Sequence, residues 1–368
     1  MLIVQRLYIR DFLKVLLVLS VGVGLAFSCL ELIDKIEDFM PHRPSPLQLA
    51  WYVLLAVPKY IHYLLPMAVL LSSLFVFSQA VGRKEIVAIK SSGGKLRTLL
   101  LPFVGLGVVI TVCAFGLSEF VVPPAAKAGR SLKTLLAKKG KDVVFKEGSL
   151  YMRSRDGSIV RVGLYLPDQN VSKDITIFTF DLFRLKERID ARSASWEGHT
   201  WQLKDVTVTD IATGRLTTMA SREYKGIESP KIFQEGLWKI EEATLSELLN
   251  YHRRLQEAGF RNTKFTVDIS GRLSYPLVNL FMLLLGMSLA TGDALQNFLA
   301  SRLRLGAQTG NTLVAAGVGL LISVAYWFSY TFFLTLGYTG AIPPPIAPWV
   351  VPACFGGMTA FLYSTIPE

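Results

Sequence analysis

Cysteine is scarce in this sequence. Cys29, Cys113 and Cys354 are the three in 368 residues, each inside an apolar run and none in the polar middle of the chain. That excludes a disulfide-stapled scaffold and a thiolate metal centre. Histidine is almost as rare: His42, His62, His199 and His252 are scattered without the spacing of metal ligands. Charge is also thin, at 18% of residues, against about a quarter in an ordinary globular chain.

Enzymatic signatures are missing as well. Gly94-Lys95 is followed by Leu96 instead of Ser or Thr, and Ile89 stands where a phosphate loop needs its first glycine, so the nucleotide-binding pattern fails. There is no Gly-x-Ser-x-Gly, His-Glu-x-x-His or paired-cysteine motif. The sequence therefore reads as a non-catalytic chain with no cofactor of its own. Any energy it uses must come from a partner. The net charge of +11 comes without a basic run interleaved with aromatics, which argues against nucleic acid.

What is abundant is apolar sequence, 51% of the chain. Of the 39 Lys+Arg and 28 Asp+Glu, 25 and 18 fall between residues 124 and 264, so the flanks are apolar and the middle is ordinary. Phe12–Ile33 is long enough to cross a hydrocarbon core of about 30 Å. With bulky Phe27 before Ser28-Cys29 it is a poor cleavage site, so this run reads as a retained span. An acidic link, Asp34 to Asp38, and a proline-rich one, Pro41 to Pro46, lead to a second span over Tyr52–Ala80, and a third covers Leu99–Val122, closed by Pro123-Pro124. The last third holds three more, Val267–Ala290, Thr312–Leu336 and Ile346–Ile366.

Between the third and fourth spans the period changes. Asp142–Arg155, Ser158–Leu166, Ile175–Phe183, Arg188–Trp196, His199–Asp210 and Arg215–Tyr224 are short β-branched or aromatic runs, several alternating, separated by turns such as Asp156-Gly157, Pro167-Asp168, Glu197-Gly198 and Thr213-Gly214. They predict an antiparallel β-sandwich or jelly roll. A helix follows over Leu245–Ala258, opened by a Thr244/Glu247 capping box and stopped by Gly259. The domains are thus residues 1–123, a β domain over 124–264, and 265–368.

Orientation follows from Lys and Arg in the links. A cytoplasmic N-terminus places Arg6, Arg10, Arg83, Lys84, Lys90, Lys95, Arg97, Arg302 and Arg304 inside and leaves Lys35 and Arg43 in the short outer links. Both termini are then cytoplasmic and the β domain lies outside. Two constellations stand out. Residues 82–94 form a short amphipathic helix, with Ile86 and Ile89 on one side and Arg83, Lys84 and Glu85 at its start, ending at Gly93-Gly94. Glu85 is placed to pair with a basic residue on an ATPase surface, though a solvated turn is the plainer alternative. At the outer rims of the spans sit Glu31, Asp34, Lys35, Lys59, Asp268 and Arg272. Such residues face bundle interiors or polar cavities. Asp268 and Arg272, at i and i+4, are placed to neutralise one another; Lys59 suits a phosphate-bearing lipid or a snorkelling position.

Val57-Pro58-Lys59 with Pro66-Met67, the string Arg83 to Gly93, and Leu245 to Tyr251, set in this six-span layout, resemble the LptF/LptG family, the permease subunits of the lipopolysaccharide export ABC transporter of Gram-negative bacteria. Ile33-Asp34-Lys35 and Ile342-Pro343-Pro344 look closer to LptG than to LptF. The resemblance implies an α-helical inner-membrane protein of six transmembrane helices, with a periplasmic β-jellyroll domain inserted between helices 3 and 4. It implies that Arg83 to Gly93 is a coupling helix, with Arg83, Lys84, Glu85, Ile86 and Ile89 meeting an LptB-type ATPase dimer that binds the ATP. It further implies an LptF-type permease as heterodimer partner, LptC and LptA-type jellyroll proteins beyond, and a cavity for lipopolysaccharide in which Lys59 meets lipid A phosphates. Lys35, Glu31, Asp34 and Arg272 are further candidates at that wall. Glu31 departs from the lysine that close LptG relatives can carry there, and Lys35 or Arg43 is the substitute cation. The function implied is extraction of lipopolysaccharide from the inner membrane and its passage to a periplasmic bridge. A membrane-anchored periplasmic sensor or scaffold, and an ion-coupled transporter, are the alternatives. The cytoplasmic links carry no output domain for the former, and Glu31, Glu119 and Asp268 sit near span ends, away from the mid-span positions the latter needs.

Overall fold

The computed structural model describes residues 2–40, 44–94, 96–137, 144–146, 149–154, 157–166, 171–181, 184–198, 200–211, 213–227, 243–257, 263–291 and 309–364. The chain separates into two compact units, Met1–Gly129 with Thr263–Glu368, and Arg130–Asn262. Arg43, Lys95, Arg302, Arg304, Gly259 and the turn residues Asp156 and Pro167-Asp168 lie outside the described residues.

The first unit is helical. Its elements are α1 (Leu2–Phe39), α2 (Pro46–Gly82), α3 (Glu85–Ser91), α4 (Leu96–Gly116), a π-helical turn (Leu117–Val121), and, flanking the second unit, α5 (Val122–Ala137), α7 (Thr263–Thr291), α8 (Thr309–Tyr338) and α9 (Ala347–Ser364). Among the described residues, five stretches are long and apolar enough to cross a membrane: Ile3–Glu37, Pro46–Gly82, Leu96–Lys133, Thr263–Thr291 and Val314–Tyr338. The sixth predicted span corresponds to α9, whose 18 residues contain Pro352. At 1.5 Å per residue it reaches about 27 Å, near the lower limit for a crossing.

Two boundaries differ from the sequence reading. The second span starts earlier than Tyr52, because Ser45 and Gln48 form a reciprocal capping box with Pro46 at the first helical position. The third does not end at Pro123-Pro124. The amide of Val122 reaches back to the carbonyl of Leu117 in the π turn, and the prolines fall in the first turn of α5, where a missing N–H costs little.

The helices meet through aromatic and small residues. Phe77 and Phe103 pack edge to face at 5.1 Å, Phe12 and Phe103 at 6.2 Å, and Tyr8 lies 6.0 Å from Phe77. Gly286 of α7 lies against α2 so closely that a Cβ would overlap the Ser73 hydroxyl and stand 3.1 Å from the Leu70 carbonyl. Backbone approach of this kind is how helices associate where lipid removes the hydrophobic drive.

Among the described residues the second unit holds seven strands: β1 (Val144–Lys146), β2 (Ser149–Arg153), β3 (Ile159–Leu166), β4 (Val171–Asp181), β5 (Arg184–Glu197), β6 (Thr200–Asp210) and β7 (Leu216–Tyr224). All pair antiparallel with their sequence neighbours in one sheet, so the described strands form a meander. The Greek-key crossings of a jelly roll are not among the described residues. Within the first predicted run, Asp142–Arg155, the described residues form two antiparallel strands, with Lys146 opposite Ser149. Gly157, Gly198 and Gly214 supply the positive φ of the turns, at 86°, 68° and 67°.

The sheet folds along a crease. Ladder pairs run from Val162↔Ile175 to Leu164↔Lys173, from Ile175↔Ala191 to Lys173↔Ser193, and from Ala191↔Val206 to Ser193↔Lys204, passing over Gly163, Asp174, Arg192 and Asp205 in one row. Asp174 and Asp205 take left-handed φ values of 54° and 53°. Across the row the inward positions slip by one: Ser172 then Ile175, Ala191 then Ala194, Leu203 then Val206 are buried. Gly163 is needed opposite Asp174, whose Cβ would lie 2.9 Å from an added one. Inside the fold are Leu150, Val160, Val162, Ile177, Ile189, Trp201 and Leu203.

The same unit contains α6 (Leu245–Glu257), opened by the predicted box: the Glu247 amide donates to Thr244 Oγ1 at 3.3 Å and the Thr244 amide to Glu247 Oε2 at 2.9 Å. Among the described residues, β2 pairs with β3 as far as Val162, short of the last part of β3. Tyr251 of α6 covers it, its hydroxyl accepting from the Tyr165 amide at 3.4 Å and donating to the Tyr165 carbonyl at 3.2 Å.

Candidate functional site

Candidate residues gather at two places in the helical unit. Glu31 follows Tyr8 by 23 positions on the unbroken α1, about 35 Å along the axis.

The first place is α3. Lys84 turns the chain at φ 60° between α2 and α3, and Gly93 at φ 75° ends the hairpin. Ile86 is buried in the helical core and Ile89 packs against it, so this apolar face seats α3 on its own unit. What α3 and its lead-in present outward are Arg83, Lys84, Val87 and Ala88, all exposed. Glu85 looks both ways: Tyr8 donates to its Oε2 at 2.6 Å, and Arg83 lies 3.9 Å from Oε1. Gln5 donates to the carbonyl of Thr98 at 2.8 Å, in the first turn of α4. Sequence reasoning missed Gln5 and Tyr8. Their signal was a polar pair at i and i+3 facing the same way from an apolar helix.

The second place joins α1 to α2. Glu31 forms an ion pair with Lys35, and it accepts from Tyr52 at 3.0 Å and from Tyr60 at 2.8 Å. Lys35 also donates to the Tyr52 hydroxyl at 3.0 Å. Ser28, one turn earlier on α1, donates to the Val53 carbonyl at 2.5 Å. The Lys59 ammonium is 5.7 Å from the Tyr60 ring centre, which places it beside this cluster. Asp34 is exposed. The Glu31 carboxylate is therefore neutralised within the protein, and Lys35 is held by it. Tyr52 and Tyr60 were not singled out from sequence because their partner lies on another helix.

Arg272 attracts Asp268 one turn away on α7, as the i, i+4 spacing predicted. It pairs with Glu119 of the π turn at 3.8 Å, both side chains largely buried, while Asp268 accepts from Tyr338 at 2.6 Å. Each is also drawn to a helix across the bundle. On the outward face of the β unit a groove of roughly 750 Å³ is lined by Arg161, Arg188 and Arg192 alternating with Asp174, Asp190 and Asp205. Arg188 is bound to Asp190 at 2.8 Å, as expected of a solvated sheet face.

The profile of the family described as "Lipopolysaccharide export system permease LptF/LptG" matches residues 6–365. The chain belongs to the LptF/LptG family. It is also similar to the lipopolysaccharide export system permease protein LptG of Haemophilus influenzae, with 23% identity over 245 residues, 65% of this chain and 67% of that one. The match to the LptF/LptG family takes in α3 and its flanks, the Glu31 cluster and the inserted β unit together. As a member of the LptF/LptG family the chain is a multi-pass inner-membrane protein of a lipopolysaccharide export system, a permease and not the catalytic subunit.

Proposed function

We propose that this chain extracts lipopolysaccharide from the inner membrane, using ATP hydrolysed by a separate LptB-type dimer, and passes it to a periplasmic bridge. The observation that carries the reading is the family match across nearly the whole chain, joined to a short helix seated on the helical core with a charged outward face. α3 is the coupling helix, and Arg83, Lys84, Glu85 and Val87 are its contacts with the ATPase; Ile86 and Ile89 hold it in place. An LptF-type permease is the second half of the pair. LptC and LptA-type jellyroll proteins receive the lipid from the β unit, which lies in the periplasm with both termini in the cytoplasm. The excess of Lys and Arg in the links flanking α3 supports that orientation.

Lys59 is the cation for lipid A phosphate. It stands beside the cluster of Glu31, Lys35, Tyr52 and Tyr60, 5.7 Å from the Tyr60 ring centre. The LptG branch is supported by Ile33-Asp34-Lys35 and Ile342-Pro343-Pro344 and by the Haemophilus influenzae relative. The test is purification in mild detergent followed by reconstitution in proteoliposomes. An ATPase dimer and a second permease should co-purify, and Glu85→Ala should uncouple hydrolysis or assembly from lipid release. A chain that purifies without an ATPase, or a Glu85→Ala variant with full transport, overturns the reading.

A further inference from the structure

Gln5, Tyr8 and Phe12 lie at i, i+3 and i+7 on one face of α1, and all three are buried. From that face two hydrogen bonds bracket α3. Tyr8 donates to Glu85, the first residue of α3, at 2.6 Å, and Gln5 donates to the carbonyl of Thr98, just beyond the hairpin, at 2.8 Å. The first of these is charge-assisted, a short O–H to carboxylate bond. Ile86 closes the arrangement by packing into the core cluster that includes Tyr8 and Phe12. α1 is thereby bonded to α3 at its first residue and to the first turn of α4 just after it, so that the two bonds flank the hairpin.

The two helices that lead from this hairpin to the Glu31 cluster differ in stiffness. α1 runs 38 residues without a proline, whereas α2 carries Pro58 and Pro66 between α3 and its tyrosines or beside them. A proline removes a helix hydrogen bond and allows a kink, so displacement entering α2 is absorbed more readily than displacement entering α1.

We propose that Gln5 and Tyr8 are positioning residues, a clasp through which movement of α3 is delivered to α1 and, along it, to the Glu31, Lys35, Tyr52 and Tyr60 cluster beside Lys59. This rests on the reading of α3 as the coupling helix and adds which of its neighbours carries the stroke. Glu85 then has two tasks. Its Oε2 is bound by Tyr8, and Oε1, 3.9 Å from Arg83, forms with that guanidinium the charged pair offered to a motor protein.

The experiment uses the full complex in proteoliposomes, with Cys29, Cys113 and Cys354, all exposed, replaced by serine. Spin labels at Leu30→Cys on α1 and Leu54→Cys on α2, both exposed positions, report the distance between these helices before and after ATP with vanadate. In the parent complex that distance shifts. In Tyr8→Phe, which keeps the ring and removes the hydroxyl, the shift disappears while the ATPase still co-purifies, and lipid released per ATP falls about tenfold, as loss of a charge-assisted bond implies. Gln5→Leu gives a smaller loss of the same kind, and serves if Tyr8→Phe is poorly produced. Tyr8→Phe combined with Glu85→Ala is no worse than Glu85→Ala alone. An unaltered shift and unaltered transport in both Tyr8→Phe and Gln5→Leu, or additive losses in the double variant, overturns the clasp. Those results leave the ATPase attached and transport running, which separates them from failure of the coupling-helix reading, where no ATPase co-purifies.

Discussion

The Tyr60 phenol donates to Oε2 of Glu31 at 2.8 Å, across the contact between α1 and α2. Together with Tyr52 and Lys35 it leaves the Glu31 carboxylate with three partners. A carboxylate so satisfied does not repel a nearby phosphate as an isolated one would, and a lysine so engaged does not attract one. Lys59 stands beside this cluster, 5.7 Å from the Tyr60 ring centre, and is the cation proposed for an anionic lipid.

Glu31→Gln keeps the size of the side chain and an acceptor oxygen for the phenols but releases Lys35 from its ion pair. The expected result is tighter binding of phosphorylated lipid, by about threefold to tenfold for one added cation at an interface, seen as a lower lipopolysaccharide concentration for half-maximal ATPase stimulation. Lys59→Glu moves the same curve the opposite way with the complex intact. Unchanged curves for both variants would remove this cluster from the lipid path.

Helix spans were legible from sequence because each is a continuous apolar run, and the strands because their side chains alternate. The capping box at Thr244 and Glu247 was legible for the same local reason. What could not be read were pairings across the bundle. Asp268 and Arg272 are neighbours on one helix face, yet their close partners, Tyr338 and Glu119, are 70 and more residues away in the chain. Ile86 and Ile89 show the matching limit: the period identified an apolar face correctly but did not say which body it would be buried against.

Gly286 tests the packing between α2 and α7. A valine there must displace Ser73 and the Leu70 backbone, and overpacking of this order costs about 1–3 kcal/mol. Thermal unfolding in detergent should move down by several degrees in Gly286→Val. Gly105→Val, where an added Cβ meets nothing within 4 Å, should move it little.

Tyr251 gives the β unit a dependence on alkaline pH. Burial raises its phenol well above the ordinary value near 10. Below that value the phenol is neutral whether the chain is folded or not. Above it, the unfolded chain gives up the proton and the folded one keeps it, so the unfolded state binds fewer protons and stability falls as pH rises. Scans of the full-length protein between pH 8 and 11 should show a steeper fall for the parent than for Tyr251→Phe. The variant itself should start lower by about 1–3 kcal/mol, since the two buried bonds from the hydroxyl to the Tyr165 amide and carbonyl are lost.

The crease in the sheet makes a prediction with opposite signs at one position. Asp174 and Asp205 hold φ near +54° and +53° in the middle of strands, a conformation that aspartate tolerates, glycine adopts freely and a β-branched residue resists. Asp174→Gly should leave stability unchanged or raise it by up to about 1 kcal/mol, because strain relief offsets the greater entropy of the unfolded chain. Asp174→Val should lower it by about 1–3 kcal/mol, since every ladder pair on either side of the row depends on that turn of the backbone. Chemical denaturation followed by tryptophan emission reports the change directly, because Trp201 is buried in the fold that the crease closes. Equal losses for glycine and valine would mean that the Asp174 side chain, and not its backbone angle, is what the sheet requires.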